Sequence, residues 1–445
     1  RTPRPAATWT EVREADAFGA ACLQPGRYAY GAQRIQARPS SSEDCLYLNV
    51  TRPAAPADNE EQRLPVIVWL HGGGMFAGSG SLVDPAALAQ RGAVVVTVNF
   101  RLGLLGYFAH PSLKQDVANL GLTDQIAALE WVRDNIEGFG GDPDSVTLMG
   151  ASAGAISVNA LMVAPAARGL FDKAIAQSAP GDSAARTLGD VRRQGAQDFP
   201  GLTADELRAL PGRSLLSSTF NVLRGDAPVI DRVLPESSLE AFAAGREAPV
   251  PYLVGTTDAE FSDDDFRAAG SDPDRLRAGL GGAAHNRLVA AYGKRAFREY
   301  ALDDLIFHGP AIALALEHDQ RAPTFRYRLG VDPGGSGHGT ESPFVFGVET
   351  GPARQRLAQA MGDYWVSFAR TGSPNVAGLP RWPRASGTSY LELGLQGPRP
   401  VALDRWRTRL AALYATVPLE LPSTRKGQRS SGQVSPARSA PLRRS

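Results

Sequence analysis

The chain has 445 residues, of which 43% are hydrophobic and 21% are charged, a composition that allows a large buried core. Its formal net charge of +1 argues against binding to nucleic acid or to an anionic membrane through overall charge. The longest apolar runs, such as residues 66–70 and 93–98, have the length of strands and are too short to span a bilayer. We therefore expect neither a nucleic-acid partner nor a transmembrane segment, and the composition leaves the oligomeric state open.

Short apolar runs and stretches with helical spacing alternate along the chain after a loop-like region over residues 1–42. In chain order, they predict a strand at residues 64–70, a strand at 93–100, a helix at 122–136, a strand at 145–149, a helix at 153–162, cap-like helices and loops at 180–249, strands at 250–254 and 325–329, and a helix at 353–369. Strands alternating with helices predict an α/β fold, with a mostly parallel sheet covered on both faces.

The end of the chain differs in composition from the rest. Residues 421–445 contain no acidic residue and six basic ones, with Ser, Pro and Gly filling most other positions. Such a segment cannot bury enough apolar surface to fold. We predict one domain over residues 1–420 and a disordered basic tail over residues 421–445, and we favour a solvated extension over a tail that binds nucleic acid.

The two cysteines are Cys22 and Cys45. They are too few for a disulfide-scaffolded fold, and their spacing does not indicate a zinc site. Two buried thiols are one interpretation. One disulfide closing a short loop is the other, and it would imply an oxidising compartment. The sequence begins with Arg1 and shows no apolar signal segment, so we expect a processed product or a fragment.

The strongest indication of chemistry is the stretch Gly150-Ala151-Ser152-Ala153-Gly154, between a predicted strand and a predicted helix. A sharp turn there exposes the serine hydroxyl above the sheet, and small neighbours avoid clashes at the strained corner. The helix adds free backbone amides and its N-terminal dipole. A glycine-flanked serine alone would be no more than a tight turn, but this context predicts that Ser152 is a nucleophile.

A second glycine-rich stretch, His71-Gly72-Gly73-Gly74, follows the strand at residues 64–70. Glycines let backbone amides approach a developing oxyanion closely. In isolation this loop would be an ordinary turn. Together with Ser152 it predicts an oxyanion hole in which Gly73, Gly74 and Ala153 donate the hydrogen bonds.

A nucleophilic serine needs a base, and the sequence contains six histidines. His338 lies in a glycine-rich loop after the strand at 325–329, where an α/β-hydrolase places its base; the others lie in the glycine loop, before a proline or near predicted helices. The acid should lie between the nucleophile and the base in the chain. The acidic loop after the strand at 250–254 offers Asp258 and Glu260 among its candidates, and position alone does not choose between these two.

Several stretches occur in the order typical of a known family. They are residues 42–50 (SEDCLYLNV), 71–74 (HGGG), 99–103 (NFRLG), 121–125 (GLTDQ), 139–143 (FGGDP), 150–154 (GASAG), 343–347 (PFVFG) and 368–375 (FARTGSPN). Over roughly residues 8–420, the sequence resembles the type-B carboxylesterase family, which includes bacterial para-nitrobenzyl esterases and, more distantly, cholinesterases.

The resemblance implies the α/β-hydrolase fold and a serine carboxylesterase that hydrolyses small-molecule esters without a metal or cofactor. In the stretch VGTTDAE (residues 254–260), it assigns the acid to Glu260. It also implies that Cys22 and Cys45 form the family's N-terminal disulfide. A secreted or periplasmic location is then expected, with a cytoplasmic one as the alternative.

Three positions depart from the family pattern. Ala151 stands where glutamate commonly precedes the nucleophile, and Phe261 stands where glycine commonly follows the acid. The sequence begins near the family's first tryptophan motif, here Thr8-Trp9-Thr10. We therefore expect the preceding strands to be missing and a sheet edge to be exposed.

The sequence contains no motif that identifies the natural ester substrate. Met75, Phe76 and Phe344 are expected to line the substrate pocket, although each could equally be a core residue. One alternative function is that of a catalytically silent relative that only binds a partner, since a fold does not determine a function. Another keeps the chemistry but acts on a bulky ester, as a lipase, lactonase or detoxifying esterase would.

Overall fold

The central feature of the computed structural model is a large twisted sheet. The structure describes residues 1–4, 10–25, 27–30, 33–36, 41–54, 63–181, 185–216, 226–268, 272–332, 336–385, 389–402 and 407–414. The strands of these residues are β1 (Ala21–Cys22), β2 (Arg27–Tyr30), β3 (Gln33–Gln36), β4 (Ser41–Ser42), β5 (Leu48–Thr51), β6 (Leu64–Leu70), β7 (Val94–Val98), β8 (Gly141–Ala151), β9 (Lys173–Gln177), β10 (Tyr252–Thr257), β11 (Thr324–Gly330), β12 (Ser389–Gly394) and β13 (Arg399–Ala402).

Nine of these strands form one sheet in the order β13-β12-β11-β10-β9-β8-β6-β7-β5. Neighbouring strands from β12 to β7 run parallel, whereas β5 and β13 at the two edges are antiparallel to their neighbours. The predicted mostly parallel sheet is confirmed. The short strand β9 was not predicted, because its sequence, Lys-Ala-Ile-Ala-Gln, is polar at both ends; all five residues are nevertheless buried between β8 and β10.

Helices cover both faces of the sheet. They are α1 (Ala86–Gln90), α2 (Gly103–Gly106), α3 (Leu120–Asn135), α4 (Ala153–Val163), α5 (Leu188–Asp198), α6 (Ala204–Ala209), α7 (Ser238–Ala244), α8 (Asp263–Ala268), α9 (Pro273–Gly279), α10 (Gly282–Tyr292), α11 (Lys294–Asp303), α12 (Gly309–His318), α13 (Glu341–Val345), α14 (Pro352–Thr371) and α15 (Arg407–Tyr414). The predicted helices at 122–136, 153–162 and 353–369 correspond to α3, α4 and α14. Helices α5, α6 and α7 lie in the region where cap-like helices were predicted.

The alternation of side chains along a strand separates two hydrophobic cores. Val66 and Val68 of β6 point to one face, where they join a cluster with residues of α3, α4 and α12. Ile67 and Trp69 point to the other face and join a cluster with residues of α14. Because both faces are covered, β6 and β7 are almost continuously apolar, as central parallel strands require.

Cys22 and Cys45 form a disulfide whose Cα atoms are 4.7 Å apart. Both cysteines are buried, and β1 and β4 pair in parallel beside the bond. The disulfide implied by the family resemblance is confirmed. Residues 421–445, predicted to form a basic tail, lie outside the described residues. Within the described part of the chain, no helix is both long and apolar enough to cross a membrane.

Removal of this disulfide is expected to lower the free energy of unfolding. The bond closes a loop with a sequence separation of 23, and a loop of this size typically contributes about 2–4 kcal/mol. Urea unfolding of the double variant Cys22→Ala/Cys45→Ala should therefore show a transition at clearly lower urea than that of the parent protein. An unchanged midpoint would contradict the prediction.

Candidate active site

The predicted site residues meet at one edge of the sheet. Ser152 directly follows β8, Glu260 lies just after β10, and His338 lies in the segment after β11. The glycine loop, residues 71–74, follows β6. These strands are parallel and lie side by side with β9 among them, so their carboxyl ends lie at the same edge, where α/β sheets place their ligand sites.

Ser152 occupies the strained turn that the sequence predicts. Its backbone has φ of 55° and ψ of −120°, and its amide donates to the Gln177 carbonyl of β9 at 2.7 Å. A Cβ atom at Gly154 would lie 2.0 Å from the Leu70 carbonyl oxygen, and one at Gly150 would lie 2.4 Å from the Gly154 backbone. The flanking glycines therefore let α4 approach β6 closely enough to form the turn.

The glycine loop lies against this turn. A Cβ atom at Gly72 would be 3.3 Å from the Cβ of Ser152, and Gly73 and Gly74 have φ angles of 113° and 63°. Among the described residues, no carbonyl accepts a hydrogen bond from the amide of Gly73 or Gly74. Ala153 is the first residue of α4, where a helix leaves amides unpaired. Gly72, which precedes the predicted donors Gly73 and Gly74, thus lies against the serine, and the third predicted donor, Ala153, directly follows the serine in the chain.

His71 has a structural role in this loop. Its Nδ1 is 2.8 Å from the Gly72 carbonyl oxygen, and its ring stacks on Phe100 with 4.3 Å between centroids. Burial lowers the pKa of His71 to about 4. The imidazole is therefore neutral at ordinary pH, and its contacts with Gly72 and Phe100 hold the glycine loop in place.

Glu260 and Asp258, which position alone could not distinguish, have different partners. The Oε2 atom of Glu260 is 2.5 Å from Nδ1 of His338, and the His338 amide donates to the Glu260 carbonyl at 2.9 Å. The Oδ1 atom of Asp258 instead accepts from the Ser336 amide at 2.6 Å. Glu260 thus contacts the imidazole, whereas Asp258 orders the backbone that carries it.

Phe261, the departure from the family loop, packs on the same imidazole. Its ring lies edge-on to His338 with centroids 5.0 Å apart, and the ring centroid of Phe307 lies 5.2 Å from that of His338. Phe261, Phe307 and Phe266 belong to one small buried cluster. The substitution therefore adds apolar surface that holds the ring and shields the Glu260–His338 pair from water.

Further polar residues support Glu260, and sequence reasoning missed all of them. Oε1 of Glu260 accepts from the Thr257 amide at 2.7 Å and from the Ser178 hydroxyl at 2.6 Å. The same hydroxyl contacts the carboxyl group of Glu341. The Asp303 carboxylate accepts from the Glu260 amide at 2.8 Å. Except for Thr257, these residues lie far from Glu260 in the chain, so no local sequence pattern connects them with it. In the structure, Ser178 has an unusual positive φ of 54°.

The buried ionisable side chains of the site shift one another's pKa values. Burial opposes ionisation of Glu260, but the charge and hydrogen bond of His338 and the Ser178 hydroxyl outweigh it and lower the pKa of Glu260 below its usual value. Burial likewise opposes protonation of His338, but Glu260 and then Glu341 raise its pKa above 6.5. Burial and repulsion by Glu260 raise the pKa of Glu341 to about 7. The arrangement favours an ionised Glu260 that stabilises the imidazolium form of His338.

These shifts predict the pH dependence of catalysis. A base must be unprotonated to accept a proton, so kcat/KM should fall as pH decreases through the raised pKa of His338. Because Glu341 helps to raise that pKa, Glu341→Gln should move the acid limb to lower pH while the plateau changes by less than about tenfold. The pH profile of the control Glu392→Gln should match that of the parent protein, because Glu392 lies on β12 and pairs with Arg399. A Glu341→Gln limb that stays in place or moves to higher pH would contradict the prediction.

The residues expected to line a pocket are mostly buried. Met75 is in the core cluster beside α3 and α4, where its sulfur accepts from the Tyr107 hydroxyl at 3.4 Å. Phe76 is half-buried against the same cluster. Phe344 is fully buried in the cluster on the opposite face, with the Arg354 guanidinium 4.8 Å from its ring centre.

Two further histidines, His308 and His318, are buried with partners on both ring nitrogens. His308 lies 2.8 Å from Asp304 and 2.8 Å from the Thr257 carbonyl. His318 lies 2.7 Å from Glu247 and 2.7 Å from a backbone carbonyl. Because both ring nitrogens of each histidine have partners, these two imidazoles are hydrogen-bonded polar groups of the core.

The chain is similar to carboxylesterases over most of its length. The profile of the Carboxylesterase family matches residues 1–272 and 290–406. The para-nitrobenzyl esterase of Bacillus subtilis (strain 168) is 35% identical over 428 residues, which cover 86% of this chain and 85% of that protein. The cocaine esterase of Homo sapiens is 32% identical over 453 residues, which cover 88% of this chain and 80% of that protein.

Solved structures agree with the sequence comparison. A PNB esterase structure superposes with a TM-score of 0.79 at 32% sequence identity, covering 93% of this chain and 91% of that one. A thermophilic PNB esterase gives a TM-score of 0.79 at 32% identity, covering 93% and 92%. Because sequence and fold agree over nearly the whole chain, we assign this protein to the type-B carboxylesterase family, as a carboxylic ester hydrolase with the α/β-hydrolase fold.

Proposed function

We propose that this carboxylesterase hydrolyses small-molecule esters through an acyl-enzyme intermediate, with Ser152 as nucleophile, His338 as base and Glu260 as acid. The observation that carries the proposal is the contact between Glu260 Oε2 and His338 Nδ1, at the same sheet edge as the strained Ser152 turn. A nucleophile, a base and a group that orients the base are the components of a catalytic triad.

In acylation, Nε2 of His338 takes the hydroxyl proton as Ser152 Oγ attacks the ester carbonyl carbon. Glu260 fixes the tautomer with the proton on Nδ1 and stabilises the imidazolium that forms. The tetrahedral intermediate collapses when His338 returns a proton to the leaving alcohol oxygen. The carbon–oxygen bond to the alcohol breaks, and Ser152 holds the acyl group.

Deacylation repeats these steps with water. His338 takes a proton from a water molecule, whose oxygen attacks the acyl carbon, and then returns the proton to Ser152 as the acid departs. In both halves, the amides of Gly73, Gly74 and Ala153 hydrogen-bond the negative oxygen. Amides already held in place need no reorganisation when that charge develops, which is why such donors accelerate acyl transfer.

Covalent labelling tests the proposal. A fluorophosphonate should react once per chain, and peptide mass spectrometry should find the adduct on Ser152. Hydrolysis of para-nitrophenyl butyrate should decline in proportion to labelling. An adduct on another residue with parallel loss of activity would overturn the assignment of Ser152. A folded protein that is neither labelled nor active would instead support a catalytically silent binding protein.

A further inference from the structure

A buried side chain outside the triad holds Gly78, which follows the glycine loop in the chain. Gln24 is 4% exposed, and its side-chain amide forms two hydrogen bonds with one residue, Gly78. The Gly78 amide donates to Oε1 of Gln24 at 2.9 Å, and Nε2 of Gln24 donates to the Gly78 carbonyl at 2.8 Å. Both backbone polar groups of Gly78 are therefore satisfied by a side chain from 54 positions earlier.

Gly78 is packed directly on the start of the glycine loop. A Cβ atom at Gly78 would lie 2.1 Å from Nδ1 of His71 and 2.5 Å from the Gly72 carbonyl oxygen. The intervening turn is closed, because the Gly73 carbonyl accepts from the Ala77 amide at 3.0 Å. A displacement of Gly78 therefore has to move Gly73, one of the proposed oxyanion donors.

The segment that carries Gln24 is itself fixed. Nε2 of Gln24 also donates to the Cys22 carbonyl at 3.0 Å, next to the disulfide. Asn99 makes a parallel link: its side-chain amide donates to the Cys45 carbonyl at 3.2 Å and accepts from the Gly80 amide at 2.9 Å. The disulfide-bonded segment is thereby attached to residues 78–80 at two points, so Gln24 has a rigid base from which to hold the loop.

We propose that Gln24 is a positioning residue for the oxyanion hole, acting through Gly78 on the amides of Gly73 and Gly74. The inference rests on the proposed function, because it assigns a role to Gln24 only if those amides bind the oxyanion. A donor displaced by a fraction of its hydrogen-bond length stabilises the transition state less, while ground-state binding of the ester is little affected. Loss of Gln24 should therefore reduce kcat much more than it raises KM.

The decisive comparison uses Gln24 and the partly buried Gln115, whose side chains each donate to two carbonyls. The side chain of Gln115 donates to the Phe108 and Val117 carbonyls, away from the glycine loop. We expect Gln24→Ala to lower kcat for para-nitrophenyl butyrate by about 10–100-fold with KM within about threefold. Gln115→Ala also removes two side-chain hydrogen bonds, but it should keep kcat within about twofold.

An isosteric variant provides a second readout that does not depend on the alanine variant folding well. In Gln24→Glu, the carboxylate has no proton to donate to the Gly78 carbonyl, whereas the protonated carboxyl can both donate and accept, as the amide does. The ratio of its kcat to that of the parent protein should therefore increase as pH decreases. A merely structural loss would not produce a recovery of kcat at constant KM.

The proposal is overturned if Gln24→Ala keeps the parent kcat, if Gln115→Ala lowers kcat by the same factor, or if the Gln24→Glu ratio does not change with pH. Failure of the proposed function would look different, because Ser152→Ala would then remain active. Full activity of Gln24→Ala together with an inactive Ser152→Ala variant would reject the positioning role alone.

Discussion

Ser152→Ala is expected to reduce kcat for para-nitrophenyl butyrate by about 10⁴–10⁶-fold, because the proposed acyl-enzyme cannot form without the hydroxyl. The residual rate would come from oxyanion binding and substrate positioning alone. Fluorophosphonate treatment first inactivates any contaminating esterase. The effect is then measured from the initial rates of the purified variant. The control is Ser367→Ala, since Ser367 lies on α14 and donates to loop carbonyls.

The comparison requires that the variants fold equally well. Thermal unfolding midpoints of Ser152→Ala and Ser367→Ala should therefore be compared with that of the parent protein before rates are interpreted. A folded Ser152→Ala protein that retains more than about one-hundredth of the parent kcat would be incompatible with Ser152 as the nucleophile.

The second large effect separates the two carboxylates that sequence position could not distinguish. Glu260→Gln keeps the size of the side chain but removes the charge beside His338, and an amide there can hold the wrong imidazole tautomer. We expect kcat to fall by about 10⁴-fold, as for an acid-to-amide change in the Ser-His-Asp triad of serine proteases. Rates should be measured on the pH plateau, so that a shifted base pKa does not contribute.

Asp258→Asn is the matched control for this change. Its side-chain oxygen can still accept from the Ser336 amide, which is the contact that Asp258 makes. We expect an effect of at most about tenfold, the order of one net hydrogen bond. If Asp258→Asn proved far more damaging than Glu260→Gln, the acid would have to be assigned to Asp258 instead.

The residues alone predicted the parts of the site that depend on near neighbours in the chain. The strand before Ser152, the helix after it and the glycines around it lie within one short stretch, so their steric requirements can be read together. The same holds for the glycine loop after β6. Apolar runs also predicted the central strands, because strands buried on both faces must be apolar throughout.

Other features depended on which strands become neighbours. Asp258 and Glu260 both follow β10, and their different partners arise because β11, which precedes the His338 loop, pairs beside it. Ser178 reaches Glu260 because β9 pairs on the other side of β10. No local pattern encodes these neighbours, since sheet order is set by packing of the whole chain.

Gln24 shows the same limit most clearly. In the sequence it is one polar residue between Leu23 and Pro25, and nothing nearby indicates its contact with Gly78, 54 positions away. Its amide is buried and must find partners, but tertiary packing decides which ones. The sequence thus determined the chemistry available to this protein, whereas the tertiary structure decided which polar groups support it, because hydrogen bonds of buried side chains are satisfied across the fold rather than along the chain.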